Sequence, residues 1–201
     1  DQDTTRIPTI SFMTMELLEG EPLDRYIKQE VPREGLDYAT ARPIIAALAE
    51  GLGYAHRRGL VHSDFKPGNA FITRKGEVKV LDFGIARIAN EEQARRETFD
   101  AGGLGARTPA YASPEMFDGA EPDPRDDIFA LACVSYELLG GRHPFERKSA
   151  QKVREAGLKP VPIKHLSKRQ WQALERGLAL DRVLRTPTCE AFLQGLDGDV
   201  Q

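Results

Sequence analysis

The sequence predicts an α+β fold that is mainly helical and carries short β-hairpins. Residues 38–58 hold apolar side chains at helical spacing, which predicts one long helix with an apolar stripe. Residues 128–139, IFALACVSYELL, are apolar nearly all round, so a helix there must be buried on every side. Residues 71–73 and 78–81 are short and β-prone, and the polar turn between them contains a glycine, which predicts a hairpin. The 201 residues suffice for one well-buried domain, or for one domain and part of another.

The remaining elements follow in chain order. Residues 10–18 alternate apolar and polar side chains as a strand does, and residues 19–22 are expected to end that strand. Residues 23–29 predict a short helix. Thr40 is the expected cap of the long helix, and Gly59 can adopt the left-handed conformation that ends it. An aspartate within residues 123–127 is expected to cap the buried helix, and three more helices are expected at 148–157, 167–180 and 188–195.

Composition narrows the class of protein. The chain is 40% hydrophobic and 29% charged with a net charge of −3, and no basic stripe suggests nucleic acid as a partner. No apolar run approaches the roughly 20 residues that span a bilayer, and no signal peptide is present, so we expect no membrane segment in this range and a cytoplasmic location. Cys133 and Cys189 lack CxxC spacing and are expected to be buried thiols rather than a disulfide or a metal site.

The hairpin and the loop before it hold the candidate chemistry. Folding the chain about the midpoint between residues 75 and 76 pairs Asn69 with Asp82 at the open end. Directly opposite residues have Cβ atoms about 5 Å apart, close enough for both side chains to hold one hard cation. Asp64 and Lys66 lie just upstream in an irregular loop. A general base, a cation that attracts phosphate and two oxygen ligands together predict a site for phosphoryl transfer.

These residues resemble the motifs of the protein kinases. Residues 62–69, HSDFKPGN, are similar to the family's catalytic loop, and residues 82–84, DFG, to its magnesium-binding motif. Residues 107–115, RTPAYASPE, are similar to the end of a kinase activation segment, with Ser113 where the family usually has alanine. HSDFKPGN and PDPRDDIFAL most resemble the bacterial-type serine/threonine protein kinases. The implied fold is protein-kinase-like, a mainly helical large lobe with the small lobe largely missing.

The resemblance implies catalytic roles for the matching residues. Asp64 would orient the hydroxyl of a serine or threonine on a protein substrate, or accept its proton. Lys66 would neutralise charge on the γ-phosphoryl group of ATP, and Asn69 and Asp82 would hold Mg²⁺ that bridges the ATP phosphates. Thr108 matches the position whose hydroxyl bonds the catalytic Asp and Lys in serine/threonine-directed enzymes.

The resemblance also implies a binding site for the adenine of ATP. Met15 would be the gatekeeper, and the backbone carbonyl of Glu16 and the backbone N–H of Leu18 would meet the adenine edge. Phe71 would lie under the ring. Six further residues match positions that support the structure, namely His62, Phe83, Gly84, Glu115, Asp127 and Arg185. Among these, Asp127 would brace the backbone of the catalytic loop, and Arg185 would pair with Glu115 beneath the activation segment.

Parts of the family pattern are missing from the sequence. There is no G-x-G-x-x-G loop near the front, no lysine in a VAIK-like strand and no helix that supplies its partner glutamate. The match therefore predicts residues 1–20 as the last small-lobe strand and hinge, and residues 21–201 as the large lobe. The missing parts cover the ATP phosphates and hold them in line, so we expect this chain alone to bind ATP weakly and turn over little. Its start at Asp1 rather than at a methionine is the reason we expect a fragment or a trimmed chain.

Two departures and two alternatives complete the prediction. Ser63 stands where many kinases have an arginine that grips an activation-loop phosphate, and Leu104 stands near the usual phospho-threonine. Both predict an enzyme that needs no such phosphate. A small-molecule phosphotransferase of the aminoglycoside or choline type shares the H-x-D-x-x-x-x-N loop but lacks the peptide-binding segment. A pseudokinase or scaffold would agree with the missing small lobe, but not with a full set of catalytic residues.

Overall fold

A computed structural model describes residues 16–83 and 109–198 of the chain. Over these residues, three strands form one antiparallel sheet in the order β1-β2-β3: β1 Gly20–Pro22, β2 Ala70–Thr73 and β3 Val78–Val80. The same residues form seven α-helices: α1 Leu23–Glu30, α2 Tyr38–His56, α3 Pro114–Phe117, α4 Pro124–Gly140, α5 Ala150–Glu155, α6 Lys168–Gly177 and α7 Cys189–Asp197. The predicted α+β class, mainly helical with a short hairpin, is confirmed.

Helix α4 is the centre of the core. Every residue from Asp126 to Leu139 is buried, as the apolar run predicted. The helix packs against α2 and α6, and α7 packs against both of those helices. Asp123 begins α4 with a capping box, in which its side chain and that of Asp126 satisfy each other's backbone N–H groups. A fully buried helix can serve as a fixed reference for the loops that attach to it.

The helix boundaries agree with the predictions to within a few residues, but one cap differs. The N-cap of α2 is Asp37, whose two carboxylate oxygens accept from the Thr40 backbone N–H and hydroxyl, each at 2.9 Å. Thr40 is therefore the capped residue rather than the cap, because the helix begins two residues before it. Gly59 has the predicted positive φ, at 74°.

The strand expected at residues 10–18 lies only partly within the described part of the chain, and there residues 16–18 form no strand. Residues 10–15 lie outside the described part of the chain, and β1 instead occupies Gly20–Pro22, which was expected to end that strand. Gly20 has φ 152° and pairs with Thr73 of β2. A Cβ atom at Gly20 would lie 2.0 Å from the Ile72 carbonyl oxygen, so this glycine allows close strand approach rather than breaking the strand.

The hairpin forms, but its predicted register is wrong by one residue. The observed pairs are Ala70 with Val80, Phe71 with Lys79 and Ile72 with Val78. Thr73 N–H donates to the Glu77 carbonyl at 2.8 Å, so the loop contains three residues, 74–76. Gly76, with φ 81°, supplies the left-handed residue that such a three-residue loop requires.

The corrected register moves the two predicted metal ligands relative to each other. Leu81 N–H donates to the Asn69 carbonyl at 2.8 Å, so Leu81 lies opposite Asn69. Asp82 follows one residue later and is not the partner of Asn69, contrary to the prediction. Both residues still lie at the open end of the hairpin.

Two further expectations concern the cysteines and the membrane. Cys133 and Cys189 are both buried and free, as predicted. Within the described ranges, no helix combines the length and the apolar character needed to cross a bilayer.

Candidate active site

The loop at residues 62–69 brings three predicted site residues together. Lys66 Nζ lies 2.7 Å from Asp64 Oδ2, and both side chains are about four-fifths buried, at 24% and 19% exposed. Asn69 Nδ2 donates to the Asp64 carbonyl oxygen at 2.8 Å. A 3-10 helix, Pro67–Asn69, closes the loop and turns the chain into β2. The carboxylate, the ammonium and the amide therefore share one corner of the loop.

His62 connects this loop to the strand that leads to Asp82. Its buried ring accepts from the Asp64 backbone N–H at Nδ1, at 3.3 Å, so Nε2 carries the proton and donates to the Leu81 carbonyl at 2.8 Å. The ring also packs against Phe65 and Phe83, with centroids 5.7 and 5.0 Å away. His62 thus fixes the distance between the loop at residues 62–69 and the end of the hairpin.

Asp127 of α4 holds the backbone of the same loop. Its Oδ2 accepts from the His62 N–H at 2.7 Å and its Oδ1 from the Ser63 N–H at 2.9 Å, with Asp127 only 1% exposed. Ser63 has φ 64°, a left-handed conformation that is uncommon for a residue with a side chain. Its Oγ is buried and has no hydrogen-bond partner among the described residues. The loop is therefore strained locally and is held in place from the buried helix.

Asn69 and Asp82 offer oxygen atoms that suit a hard cation. Because Asn69 Nδ2 donates to the loop, its Oδ1 is the atom left for a ligand. Asp82 is exposed, has φ 59°, and makes no hydrogen bond or ion pair with any described residue. In the described part of the chain, no group of three or more His, Cys, Asp or Glu side chains could hold a metal alone. Mg²⁺ in phosphoryl-transfer sites needs only one or two protein carboxylates together with phosphate oxygens, so this donor set fits it.

The residues predicted to meet adenine are partly described. Glu16 is exposed, and its carboxylate is 2.8 Å from Lys79 Nζ of β3. Phe71 is half-buried on β2, where it pairs with Pro22 of β1. Leu18 is half-buried in the segment before β1. Three other predicted site residues lie outside the described ranges, namely Met15, Gly84 and Thr108.

The segment at residues 109–115 is fixed to α4 by a buried polar cluster. Tyr111 donates from its hydroxyl to Glu137 Oε2 at 3.0 Å, and Arg147 donates to Glu137 Oε1 at 3.0 Å and to the Tyr111 hydroxyl at 3.2 Å. Burial raises the pKa of Glu137, which is 1% exposed, and the nearby Arg147 and Tyr111 only partly oppose that shift. Arg147 adopts φ 59° to reach this cluster.

Glu115 joins the same segment to residues 182–185, between helices α6 and α7. Its carboxylate accepts from Arg185 at 2.9 Å and from the Arg182 backbone N–H at 2.9 Å, with the Arg185 side chain fully buried. Burial acts to raise the pKa of Glu115, but hydrogen bonds from its own backbone and from Arg185, with the charge of Arg185, lower it overall. Ser113 donates to Asp126 Oδ1 at 2.8 Å, which gives the serine at this position a structural partner.

Sequence reasoning missed several of these residues. Asp126, Glu137 and Arg147 were not singled out, although Glu137 is a charged residue in an otherwise apolar helix, and that contrast indicates a buried polar contact. His56 was also missed, and it lies 2.7 Å from Asp127. Its position inside the long helix gave no local signal of that contact.

Comparison with known proteins agrees with this geometry. Residues 2–196 match the protein kinase domain family. The chain is 35% identical over 196 residues to the probable serine/threonine-protein kinase PknB of Bifidobacterium longum, and the match covers 94% of this chain and 27% of that protein. It is 38% identical over 150 residues to a probable serine/threonine-protein kinase PknB of Corynebacterium glutamicum, and the match covers 74% of this chain and 22% of that protein. It is 35% identical over 153 residues to the serine/threonine-protein kinase PknA of Mycobacterium tuberculosis, and the match covers 76% of this chain and 33% of that protein.

The chain belongs to the protein kinase family. It spans between about a fifth and a third of the length of these curated relatives.

Proposed function

We propose that the protein is a serine/threonine protein kinase of the bacterial type, which transfers the γ-phosphoryl group of ATP to hydroxyl groups of proteins in the cytoplasm. The observation that carries this proposal is the hydrogen-bonded group of Asp64, Lys66 and Asn69 on a loop that Asp127 fixes to the buried helix α4. In this proposal, residues 1–20 form the last small-lobe strand and the hinge, and residues 21–201 form the large lobe.

Asp64 and Lys66 would act on the two reacting groups. Asp64 Oδ2 is bound to Lys66, while Oδ1 makes no hydrogen bond within the described residues and can receive the hydroxyl of a serine or threonine. The attraction of the Lys66 ammonium holds the carboxylate in a fixed orientation. The same ammonium lies where it can approach the phosphoryl group as that group moves towards the hydroxyl.

Asn69 and Asp82 would hold Mg²⁺, and the residues predicted to meet adenine would hold the nucleotide. When bound, the metal would supply positive charge that neutralises the ATP phosphates. The exposed carboxylate of Asp82 and the Oδ1 atom of Asn69 face no competing donor among the described residues. Met15, Glu16, Leu18 and Phe71 would enclose the adenine, as the family resemblance implies.

The acceptor is proposed to be a protein because the segment at residues 109–115 is held firmly beside the loop. Tyr111 is tied to Glu137, and Glu115 is tied to Arg185. A small-molecule phosphotransferase has no use for a peptide-binding segment held in this way. The names of the relatives, serine/threonine-protein kinases, support the same acceptor.

The test is phosphate transfer by the full-length protein with ATP and Mg²⁺, followed by identification of the phosphorylated amino acid. Asp64→Asn should lower turnover by about 10²–10⁴-fold, the range that a general base contributes, and should leave nucleotide affinity unchanged. Asp118→Asn is the matched control, because this carboxylate is 53% exposed and its one ion pair within the described ranges is with Arg154.

Three results would contradict the proposal. Transfer to small alcohols and not to proteins would indicate a small-molecule phosphotransferase. A melting temperature that does not respond to ATP and Mg²⁺ would indicate a non-catalytic scaffold. Full turnover in Asp64→Asn would remove that residue from the mechanism.

A further inference from the structure

A chain of side-chain contacts runs from the start of helix α7 to the catalytic loop. Cys189 Sγ lies 3.7 Å from His56 Nδ1, and His56 Nε2 lies 2.7 Å from Asp127 Oδ2. Asp127 in turn accepts from the backbone N–H groups of His62 and Ser63. Cys189 and Asp127 are 0% and 1% exposed, and the His56 side chain is 10% exposed. These contacts link α7, α2, α4 and the loop through groups shielded from water.

The protonated Cys189 thiol and the Asp127 carboxylate determine which atoms donate the hydrogen bonds to and from His56. Burial, reinforced by the negative charges of Asp127 and Glu190, raises the pKa of Cys189, so the thiol keeps its proton at neutral pH. Asp127 Oδ2, 2.7 Å from His56 Nε2, is a carboxylate oxygen that can only accept, so Nε2 is the donor and, in a neutral ring, Nδ1 is left to accept from the Sγ–H group 3.7 Å away. A neutral imidazole with Nδ1 as acceptor carries its proton on Nε2, and that N–H donates to Asp127.

Asp127 depends on this donor because its carboxylate is buried and has no lysine or arginine partner among the residues that the structure describes. Among the described residues, its only ion-pair contact is His56, and its hydrogen bonds come from His56, His62 and Ser63. A buried carboxylate is costly unless every lone pair finds a donor. His56 supplies the one donor that is not part of the loop, so it fixes the carboxylate independently of the groups that the carboxylate holds.

We propose that His56 and Cys189 are positioning residues for the phosphoryl-transfer loop: the Cys189 thiol selects the His56 tautomer, and His56 orients Asp127 so that it holds His62 and Ser63. This inference rests on the proposed kinase function only for its effect on turnover. The strained φ of Ser63 makes the loop sensitive to any loss of support from Asp127.

The first test is spectroscopic and needs no activity. The chain has four histidines, so ¹⁵N labelling of histidine gives four ring spin systems, of which the one lost in His56→Phe belongs to His56. The wild-type ring should be neutral, with the proton on Nε2. Cys189→Ala should mix the two tautomers and shift the amide signals of His62 and Ser63. Cys189→Ser, which keeps a hydroxyl donor, should restore the wild-type signals.

Cys133→Ala is the matched control for these variants. Cys133 is also a buried thiol, at 0% exposed, but it makes no hydrogen bond with any described residue. Cys133→Ala should lower the free energy of unfolding by an amount similar to Cys189→Ala, while the signals of the His56 ring and of the loop amides stay as in the wild type. A wild-type His56 ring with its proton on Nδ1, or one protonated on both nitrogens, would overturn the proposal. Equal effects of Cys133→Ala and Cys189→Ala on the loop amides would also overturn it.

The second test measures turnover in the full-length protein. His56→Phe keeps an aromatic ring of similar shape but removes the donor to Asp127. It should lower kcat about tenfold, the effect of losing one hydrogen bond to a charged group, with KM for ATP unchanged. An unchanged kcat in a folded His56→Phe protein would contradict the positioning role. If wild type shows no transfer at all, the kinase proposal fails, while the spectroscopic result still decides whether the contacts exist.

Discussion

Acidification tests the buried packing around His143, because this ring is built to stay neutral. Its Nδ1 accepts from the backbone N–H groups of Phe145 and Arg147, each at 3.1 Å, and its Nε2 lies 3.0 Å from the Ala110 carbonyl. Protonation of Nδ1 would break both accepted hydrogen bonds. Burial lowers the pKa of His143 from 6.5 to about 4, the nearby charge of Arg147 acts in the same direction, and the hydrogen bond to Ala110 only partly opposes them.

The sign and size of the effect follow from this lowered pKa. In the unfolded chain the ring takes up a proton below pH 6.5, whereas in the folded chain it does so only near pH 4. The stability that His143 contributes is therefore complete above pH 6.5, is lost progressively as the pH falls from 6.5 to about 4, and falls no further below that pH. Between pH 7 and 4.5 we expect the free energy of unfolding to fall by roughly 2 kcal/mol from this group alone.

The assay is urea denaturation at half-unit steps of pH, followed by the fluorescence of the single tryptophan, Trp171. His143→Asn is the comparison, since its Oδ1 can accept from the same two N–H groups but does not titrate. The difference between wild type and His143→Asn should shrink by roughly 2 kcal/mol from pH 7 to 4.5. Parallel curves for the two proteins over that range would refute the reasoning.

Two further predictions concern stability. Arg185→Lys should lower the free energy of unfolding, measured by urea denaturation, by about 3 kcal/mol, because a buried lysine cannot replace the guanidinium contacts to Glu115 and the backbone. Arg154→Lys, at an exposed ion pair, is the control and should lower it by less than about 0.5 kcal/mol. Equal losses in the two variants would contradict the prediction. Glu146→Gly should raise the free energy of unfolding by about 1 kcal/mol, because Glu146 has φ 53° and glycine removes that strain. Glu146→Ala is its control, since it removes the exposed ion pair with Lys148 but keeps the strain, and a stabilised alanine variant would show that strain is not the cause.

The parts of the fold that were predictable are those that local pattern determines. The apolar run at residues 128–139 leaves no polar face, so burial of α4 was the only arrangement open to it. Asp64, Lys66 and Asn69 are within six residues of one another, and a proline-containing loop of that length must keep them close. Their hydrogen bonds follow from that proximity.

The parts that failed depend on choices that the local sequence leaves open. The polar turn of the hairpin can close with three or four residues, and only the left-handed conformation of Gly76 decides between them. Aspartate and threonine are both residue types that can cap a helix, so the choice between Asp37 and Thr40 depends on where the helix begins.

Contacts between distant parts of the chain carried no sequence signal. Cys189 is 133 positions from His56 along the chain, and no periodicity or motif brings the two together. Arg147 reaches Glu137 only through two successive left-handed residues, an arrangement that residue preferences argue against. Tertiary packing, rather than local propensity, determines both.

The neighbouring residues Asp126 and Asp127 give helix α4 a coupling role. Asp126 accepts from Ser113 of the segment at residues 109–115 and from Arg182, while Asp127 holds the loop that contains Asp64. Since both carboxylates extend from adjacent positions of one rigid rod, a small rotation of that rod displaces both attachments together. In the proposed kinase, the loop of Asp64 and the segment at residues 109–115 would therefore move together, and a partner that displaces either one would act on the other.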